Sequence, residues 1–406
     1  MKRQNNEDAF AIALCPEDEM WFTRGHLFVI ADGMGGHEVG ELASKTAIDT
    51  VRHVYFKSSL ENAGEALHEA MSEANAAIYD IGTKNRDFKR MGTTCSSLIL
   101  CAEGFLIGHV GDSRVYRVRD ERIDQLSFDH TVASEHKLRS RSGGSASNID
   151  PEKYGHVLTR CLGPEPTVKV DTEGPFDYLP GDVFVLCSDG VTKYLADAEI
   201  GLIAKSLPAT DAVKLIVNLA NVRGGADNST VIIVRVSNPD GQKIKPAPKE
   251  SPLSSLQPKW VQPLLLAFAF VCFLVAGVLS YQQWAIPAAG LGILGAIIVL
   301  VAFRVGRDRV RMISGSTREN DEEPSTIFFR PYRTAAVRFT QGFLEQMRAA
   351  NQKQLAIAKK NGWKFSQQDY DATMAKAEQA CSEKKYRVAL QEWANAIDIL
   401  AAGIVR

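Results

Sequence analysis

Net charge is the first thing this sequence lacks. Lys and Arg number 47 and Asp and Glu 48, a formal net charge of −1. Composition therefore gives no sign of a polyanionic partner, and no nucleic-acid binding is expected. Cysteine is sparse and unpatterned. Cys15, Cys95, Cys101, Cys161, Cys187, Cys272 and Cys381 are odd in number and form no Cys-x-x-Cys pair. That argues against a zinc cluster or a disulfide frame and for reduced, buried thiols in a reducing compartment. No leader peptide is expected, because Met1-Lys2-Arg3 runs straight into polar residues.

What is present begins with length. The 406 residues suggest two or three domains. Residues 1–237 alternate strand-like and helix-like stretches. The patterns predict strands over 95–101 and 104–119, forming a hairpin closed near Glu103-Gly104, and over 183–187 and 229–236. Helices are predicted over 38–57, 62–83, 196–207 and 209–222. Central strands with paired helices favour a layered α+β or α/β domain. A linker rich in Pro, Ser and Lys covers 238–259.

Two stretches lack charge altogether. Val261–Ser280 is 20 residues and Ala285–Phe303 is 19, and neither holds Asp, Glu, Lys or Arg. Each can cross a hydrocarbon core of about 30 Å. A transmembrane helical hairpin is therefore expected over 260–304. Lys259 precedes it and Arg304, Arg307, Arg309 and Arg311 follow it, which puts both soluble ends in the cytoplasm. Residues 305–329 read as a second linker and 330–406 as a helical domain. There, Ala377, Ala380, Tyr386, Ala389, Trp393 and Ala396 weakly match one tetratricopeptide-like helix pair. An ordinary helical hairpin fits equally well. Either could bind a protein partner.

The chemistry lies in the first domain. Phe28-Val29-Ile30-Ala31-Asp32-Gly33-Met34-Gly35-Gly36-His37 is an apolar strand pattern ending in an aspartate, with three glycines just beyond. Alone, Asp-Gly is an ordinary turn. Here aspartates recur beside other strands: Arg3-Gln4-Asn5-Asn6-Glu7-Asp8, Gly111-Asp112-Ser113-Arg114, Ser188-Asp189-Gly190 and Asp227-Asn228. Aspartate is a poor strand residue, so the recurrence points to one shared rim. Clustered carboxylates repel one another unless cations neutralise them. All-oxygen ligation without a His or Cys motif selects Mg2+ or Mn2+. Two such ions about 3.5–4 Å apart would activate a bridging water for in-line attack on phosphorus.

In this order the motifs resemble the protein phosphatase 2C family of metal-dependent Ser/Thr phosphatases, bacterial branch. The resemblance spans about residues 1–237 and includes Gly92-Thr93-Thr94 and Leu158-Thr159-Arg160-Cys161-Leu162-Gly163. It implies an α+β fold of two packed antiparallel β-sheets flanked by α-helices, an αββα sandwich. It also implies an enzyme acting on phosphoserine and phosphothreonine in proteins phosphorylated by Ser/Thr kinases, and the hairpin expected from the apolar runs would anchor that enzyme to a membrane. By the resemblance, Asp32 bridges two Mn2+ or Mg2+ ions and the Gly33 carbonyl joins it. Asp189 and Asp227 complete the first ion's shell, and Glu7 and Asp8 surround the second. Asp112, with Asp189, holds a third and weaker ion. Arg3 grips the substrate phosphate as a guanidinium fork, and Asn228 orients its neighbour.

The chain departs from the family pattern in three places. Only Met1 and Lys2 precede Arg3, where the family normally has a short strand, so either that strand is missing or the true start lies upstream. Met34 stands where eukaryotic relatives carry a histidine, and His37, three residues on, reads either as a structural hydrogen-bonding residue or as a proton donor. Residues 131–154, with the polar run Arg139–Ser145, occupy the position of a mobile flap, and a plain loop is an equal reading. The rival from another class is a pseudophosphatase, a phosphopeptide-binding membrane scaffold signalling through its C-terminal helices. The intact aspartate set argues against it.

Overall fold

A computed structural model describes residues 5–36, 38–141, 154, 157–237 and 331–402. The chain opens with β1 (Asp8–Ala13), α1 (Asp18–Thr23), β2 (His26–Met34), and the long helices α2 (Glu38–Lys57) and α3 (Ala63–Lys84). Then come β3 (Gly92–Thr93), β4 (Cys95–Cys101), β5 (Gly104–Val110), β6 (Arg114–Arg119), β7 (Arg122–Gln125), α4 (Val132–Arg141) and β8 (Asp171–Phe176). β9 (Val183–Cys187), α5 (Asp189–Thr192), α6 (Asp197–Ser206), α7 (Ala209–Arg223) and β10 (Val231–Arg235) follow. After the undescribed segment come β11 (Arg333–Ala336), α8 (Gln341–Lys360), α9 (Gln367–Ser382) and α10 (Tyr386–Ala402).

Side-chain alternation along the strands builds the layers. In β2, Leu27, Val29 and Ala31 pack on the α2–α3 face, whereas Phe28 and Ile30 point the other way into a second core. In β9, Phe184 and Leu186 enter that same second core, and Val183, Val185 and Cys187 face α6 and α7. A strand buried on both faces reads as a continuous apolar run, because helices cover one face and a second sheet the other. One antiparallel sheet runs β1-β2-β4-β5-β8 with β3 on β2, and the other runs β10-β9-β6-β7-β11. The result is helices, sheet, sheet, helices. Local chemistry starts the elements: Asn62 caps α3 by accepting from the Gly64 and Glu65 N–H groups at 2.8 and 3.0 Å.

Three expectations need correction. The single strand predicted over 104–119 is two strands in different sheets, β5 and β6. Gly111, at φ +115, turns the chain from one sheet to the other, and this puts Asp112 at the crossing. Second, β2 does not stop at Asp32, because Gly33 and Met34 pair with Thr93 and Gly92 of β3. Third, the C-terminal segment is not purely helical and does not stand apart. β11 pairs with β7, Arg333 opposite Gln125, and becomes the edge of the second sheet. Phe343, Leu344, Met347, Leu390, Trp393 and Ile397 share one core with Leu215, Ile216 and Leu219 of α7. The described residues of 331–402 accordingly belong to one compact unit with those of 5–237. The helix pair expected from the alanine spacing is α9–α10, with Ala377, Ala380, Ala389, Trp393 and Ala396 buried. The hairpin expected over 260–304 lies outside the described residues. Among the described residues no helix is long and apolar enough to cross a membrane.

Candidate metal centre and active site

Sheet register gathers the carboxylates. Asp8 opens β1 directly opposite Asp32 on β2. Asp189 follows the end of β9, and Asp227 and Asn228 precede β10, whose Val231 pairs with Cys187. Asp112 sits where β5 hands over to β6. Hydrogen bonds then lock the parts together. Asp8 Oδ2 accepts from Ser188 Oγ at 2.8 Å and from Thr230 Oγ1 at 2.7 Å. The Asn228 amide spans the seam between elements: its Oδ1 accepts from the Glu7 N–H at 3.1 Å and its Nδ2 donates to the Asn5 carbonyl at 3.1 Å. Its own N–H donates to Asp227 Oδ1 at 3.0 Å.

Close approach demands glycine at two of these places. A Cβ on Gly33 would lie 2.0 Å from the Gly40 carbonyl oxygen and 2.7 Å from that of Glu7. A Cβ on Gly190 would lie 1.8 Å from the Asn228 carbonyl oxygen. Without side chains there, α2 closes on β2, and the Gly33 N–H reaches the Glu7 carbonyl at 3.1 Å.

The electrostatics are those of a site built to be neutralised. Burial first, then the charges of Asp8, Asp189, Asp112 and Asp227, hold the Asp32 carboxyl well above the ordinary carboxylate range. Burial pushes Asp8 up to about 6, against the two hydroxyl bonds it accepts. Burial and the Asp189 charge push Asp112 up to about 7. The buried oxygens Asp8 Oδ1 and Asp189 Oδ1 have no hydrogen-bond partner. An orphaned buried carboxylate oxygen costs stability unless something answers it. Hard divalent cations fit this donor set of buried oxygens with uncompensated charge. Yet among the described residues no three His, Cys, Asp or Glu side chains close into a ready-made cage. A lysine stands in the way: Lys193 Nζ lies 2.7 Å from Asp189 Oδ2 and 3.0 Å from Asp227 Oδ2.

Of the residues singled out in the sequence, Asp8, Asp32, Asp112, Asp189 and Asp227 act on one another electrostatically. Glu7 is buried at the same seam, with its carbonyl accepting from Ser44 Oγ at 2.6 Å. Arg3 and His37 lie outside the described residues, as does 142–153 of the expected flap, while 132–141 of that flap forms α4. Several participants had been given no role. Thr94 clasps Asp32, its N–H donating to the Asp32 carbonyl and its Oγ1 accepting from the Asp32 N–H, each at 2.9 Å. His130 Nδ1 accepts from the Gly111 N–H at 3.0 Å, so its Nε2–H donates to Asp171 Oδ2 at 2.8 Å. Arg160 Nη1 holds the other oxygen of Asp171 at 2.7 Å. This chain fixes the turn that carries Asp112. Lys193 did have a legible signal, one helical turn after Asp189.

Comparison with known proteins shows the family. The sequence model of the family described as Protein phosphatase 2C matches residues 2–220. The chain belongs to the protein phosphatase 2C family. Members are metal-dependent protein serine/threonine phosphatases, and that is the enzyme class of this chain. The serine/threonine phosphatase stp of Listeria innocua is 32% identical over 214 residues, covering 51% of this chain and 83% of the relative. Crystalline Stp1, the serine/threonine phosphatase of Staphylococcus aureus, shares 28% identity at a TM-score of 0.50, covering 58% of this chain and 91% of that one. The catalytic domain of the phosphatase PstP, solved with two manganese ions, shares 28% identity at a TM-score of 0.48, covering 59% and 94%.

Proposed function

We propose that this chain is a membrane-anchored, cytoplasm-facing protein phosphatase that hydrolyses phosphoserine and phosphothreonine with two Mn2+ or Mg2+ ions. The observation that carries the reading is the mutually repelling set Asp8, Asp32, Asp112, Asp189 and Asp227 with its two orphaned oxygens. In this reading Asp32 and the Gly33 carbonyl would serve both ions, Asp189 and Asp227 would hold one, and Glu7 and Asp8 would hold the other. Asp112 with Asp189 supplies a third and weaker site. When bound, such a pair of ions supplies a water nucleophile at neutral pH. The protein's own part is orientation. Ser188 and Thr230 fix Asp8, Thr94 fixes Asp32, and Asn228 ties Asp227 to the backbone of Glu7. Arg3 holds the phosphoryl oxygens by its fork.

The hairpin at 260–304 would raise the enzyme's effective concentration near membrane substrates without new contacts. Phosphorylated proteins are the expected substrates, and the C-terminal helices are a surface where a further protein could bind. The test is hydrolysis by the full chain of an aryl phosphate and of phosphothreonine and phosphotyrosine peptides, with Mn2+ or Mg2+ added and then chelated. Turnover of the phosphothreonine peptide that vanishes on chelation supports the reading. Metal-independent turnover, or none with either ion, overturns it.

A further inference from the structure

Lys193 caps the C-terminus of α5, its N–H returning to the Asp189 carbonyl. Its ammonium lies 2.7 Å from Asp189 Oδ2 and 3.0 Å from Asp227 Oδ2. These carboxylates come from different elements, and in the reading above they belong to one ion. The lysine charge therefore stands where that ion's charge would be needed. Lys193 is not sealed in. Its side chain keeps 28% of its exposure, and it lines a cleft of about 560 Å³ with Arg223, Gln346 and Lys353, the last two from α8. A flexible four-carbon stem beside an open cleft has room to leave the aspartates.

We infer that Lys193 is a built-in counter-cation that competes with the divalent ion for Asp189 and Asp227. It neutralises the site in the metal-free protein and has to leave before the ion is fully bound. The inference rests on the two-ion reading. Two cations cannot share a space a few ångströms wide without strong repulsion. The coupling is reciprocal: what the ion loses by displacing the ammonium, the ammonium loses to the ion. An ordinary surface ion pair would have no such coupling to metal.

The test uses the full chain, stripped with a chelator and titrated with Mn2+, reading ion affinity and melting temperature rather than activity. Lys193→Met keeps the stem and removes the charge. It should bind Mn2+ about tenfold more tightly or better, a difference of about 1.4 kcal/mol. Its metal-free form should melt lower than the natural protein, and its Mn2+-loaded form should melt at the same temperature. Lys193→Arg, which keeps the charge, should keep the weaker affinity. Unchanged or weaker Mn2+ binding by Lys193→Met overturns the inference, as does an equal loss of melting temperature with and without Mn2+. If Lys193→Met does not fold without metal, Lys193→Arg binding Mn2+ more tightly than the natural protein overturns it. Asp32→Asn separates the two claims. If it leaves Mn2+ binding intact, the two-ion reading fails and takes this inference with it. If it abolishes binding while Lys193→Met does not tighten it, only the role of Lys193 fails.

Discussion

Asp32 is the residue on which the others converge. Four carboxylates act on it, and it is clasped from both sides of its own peptide by Thr94. Replacing it with Asn keeps the shape and removes the charge. Asp32→Asn and Asp189→Asn should each lower kcat by about a thousandfold or more, because a charge-dependent site loses its ion rather than its substrate. Circular dichroism and melting should stay native. A folded Asp32→Asn protein with near-normal turnover would remove the two-ion assignment. The same residues set a pH dependence. Asp8 and Asp112 sit at about 6 and about 7 in the fold against 3.8 ordinarily. A carboxyl raised in the fold contributes stability below its ordinary value and loses that contribution as pH rises through its folded value. The metal-free protein should therefore melt lower at pH 8 than at pH 5, and Mn2+ should restore more at pH 8. Asp8→Asn should flatten the metal-free slope; an unchanged slope would rule Asp8 out as its source. The aspartates were legible because aspartate beside an apolar run is conspicuous. The parts played by His130 and Thr94 were not, because their partners are distant in sequence, and of Lys193 only the pairing with Asp189 one helical turn away could be read.

At the scale of elements, the long helices and the buried strands were legible because burial on a fixed period writes itself into the sequence. The paired faces of β2 and β9 are the clearest case. The break between β5 and β6 was hidden, because strand-like residues run on across it and one glycine makes the crossing. β11 was hidden for a different reason. It is four residues long, Arg333–Ala336, and half polar, so no periodicity can develop. What holds it is its place on β7, where Thr334 Oγ1 donates to Asp124 Oδ1 at 2.8 Å. α6 presses onto this corner, and a Cβ on Gly201 would lie 2.8 Å from Val337 Cγ2. Helix α10 contributes Trp393, fully buried in the core shared with α7. Trp393→Ala should cost roughly 3–5 kcal/mol. Because the core is shared, calorimetry should show one transition moving down, with phosphatase activity lost at the same temperature. Two separate transitions, with activity following the unmoved one, would mean that the C-terminal helices fold apart from the catalytic sheets.

At the scale of the whole chain, that shared core constrains topology. Residues up to 237 and from 331 onward pack into one compact unit. A single folded unit cannot lie on both faces of a bilayer, so whatever crosses between those ends must cross an even number of times. The apolar runs 261–280 and 285–303 are each long enough to span once. The joining Tyr281-Gln282-Gln283-Trp284 is short and uncharged, while Lys259 and the arginines at 304, 307, 309 and 311 flank the outer ends. If they form the proposed hairpin, the positive-inside rule would put the catalytic sheets and the C-terminal helices together in the cytoplasm. A cysteine at Gln282 should react with a membrane-impermeant thiol reagent in intact cells. One at Gln352, exposed on α8, should react only after the cells are broken. Labelling of position 352 in unbroken cells would overturn the cytoplasmic placement, and because the sheet requires β11 and β7 side by side it would carry the catalytic sheets out with it.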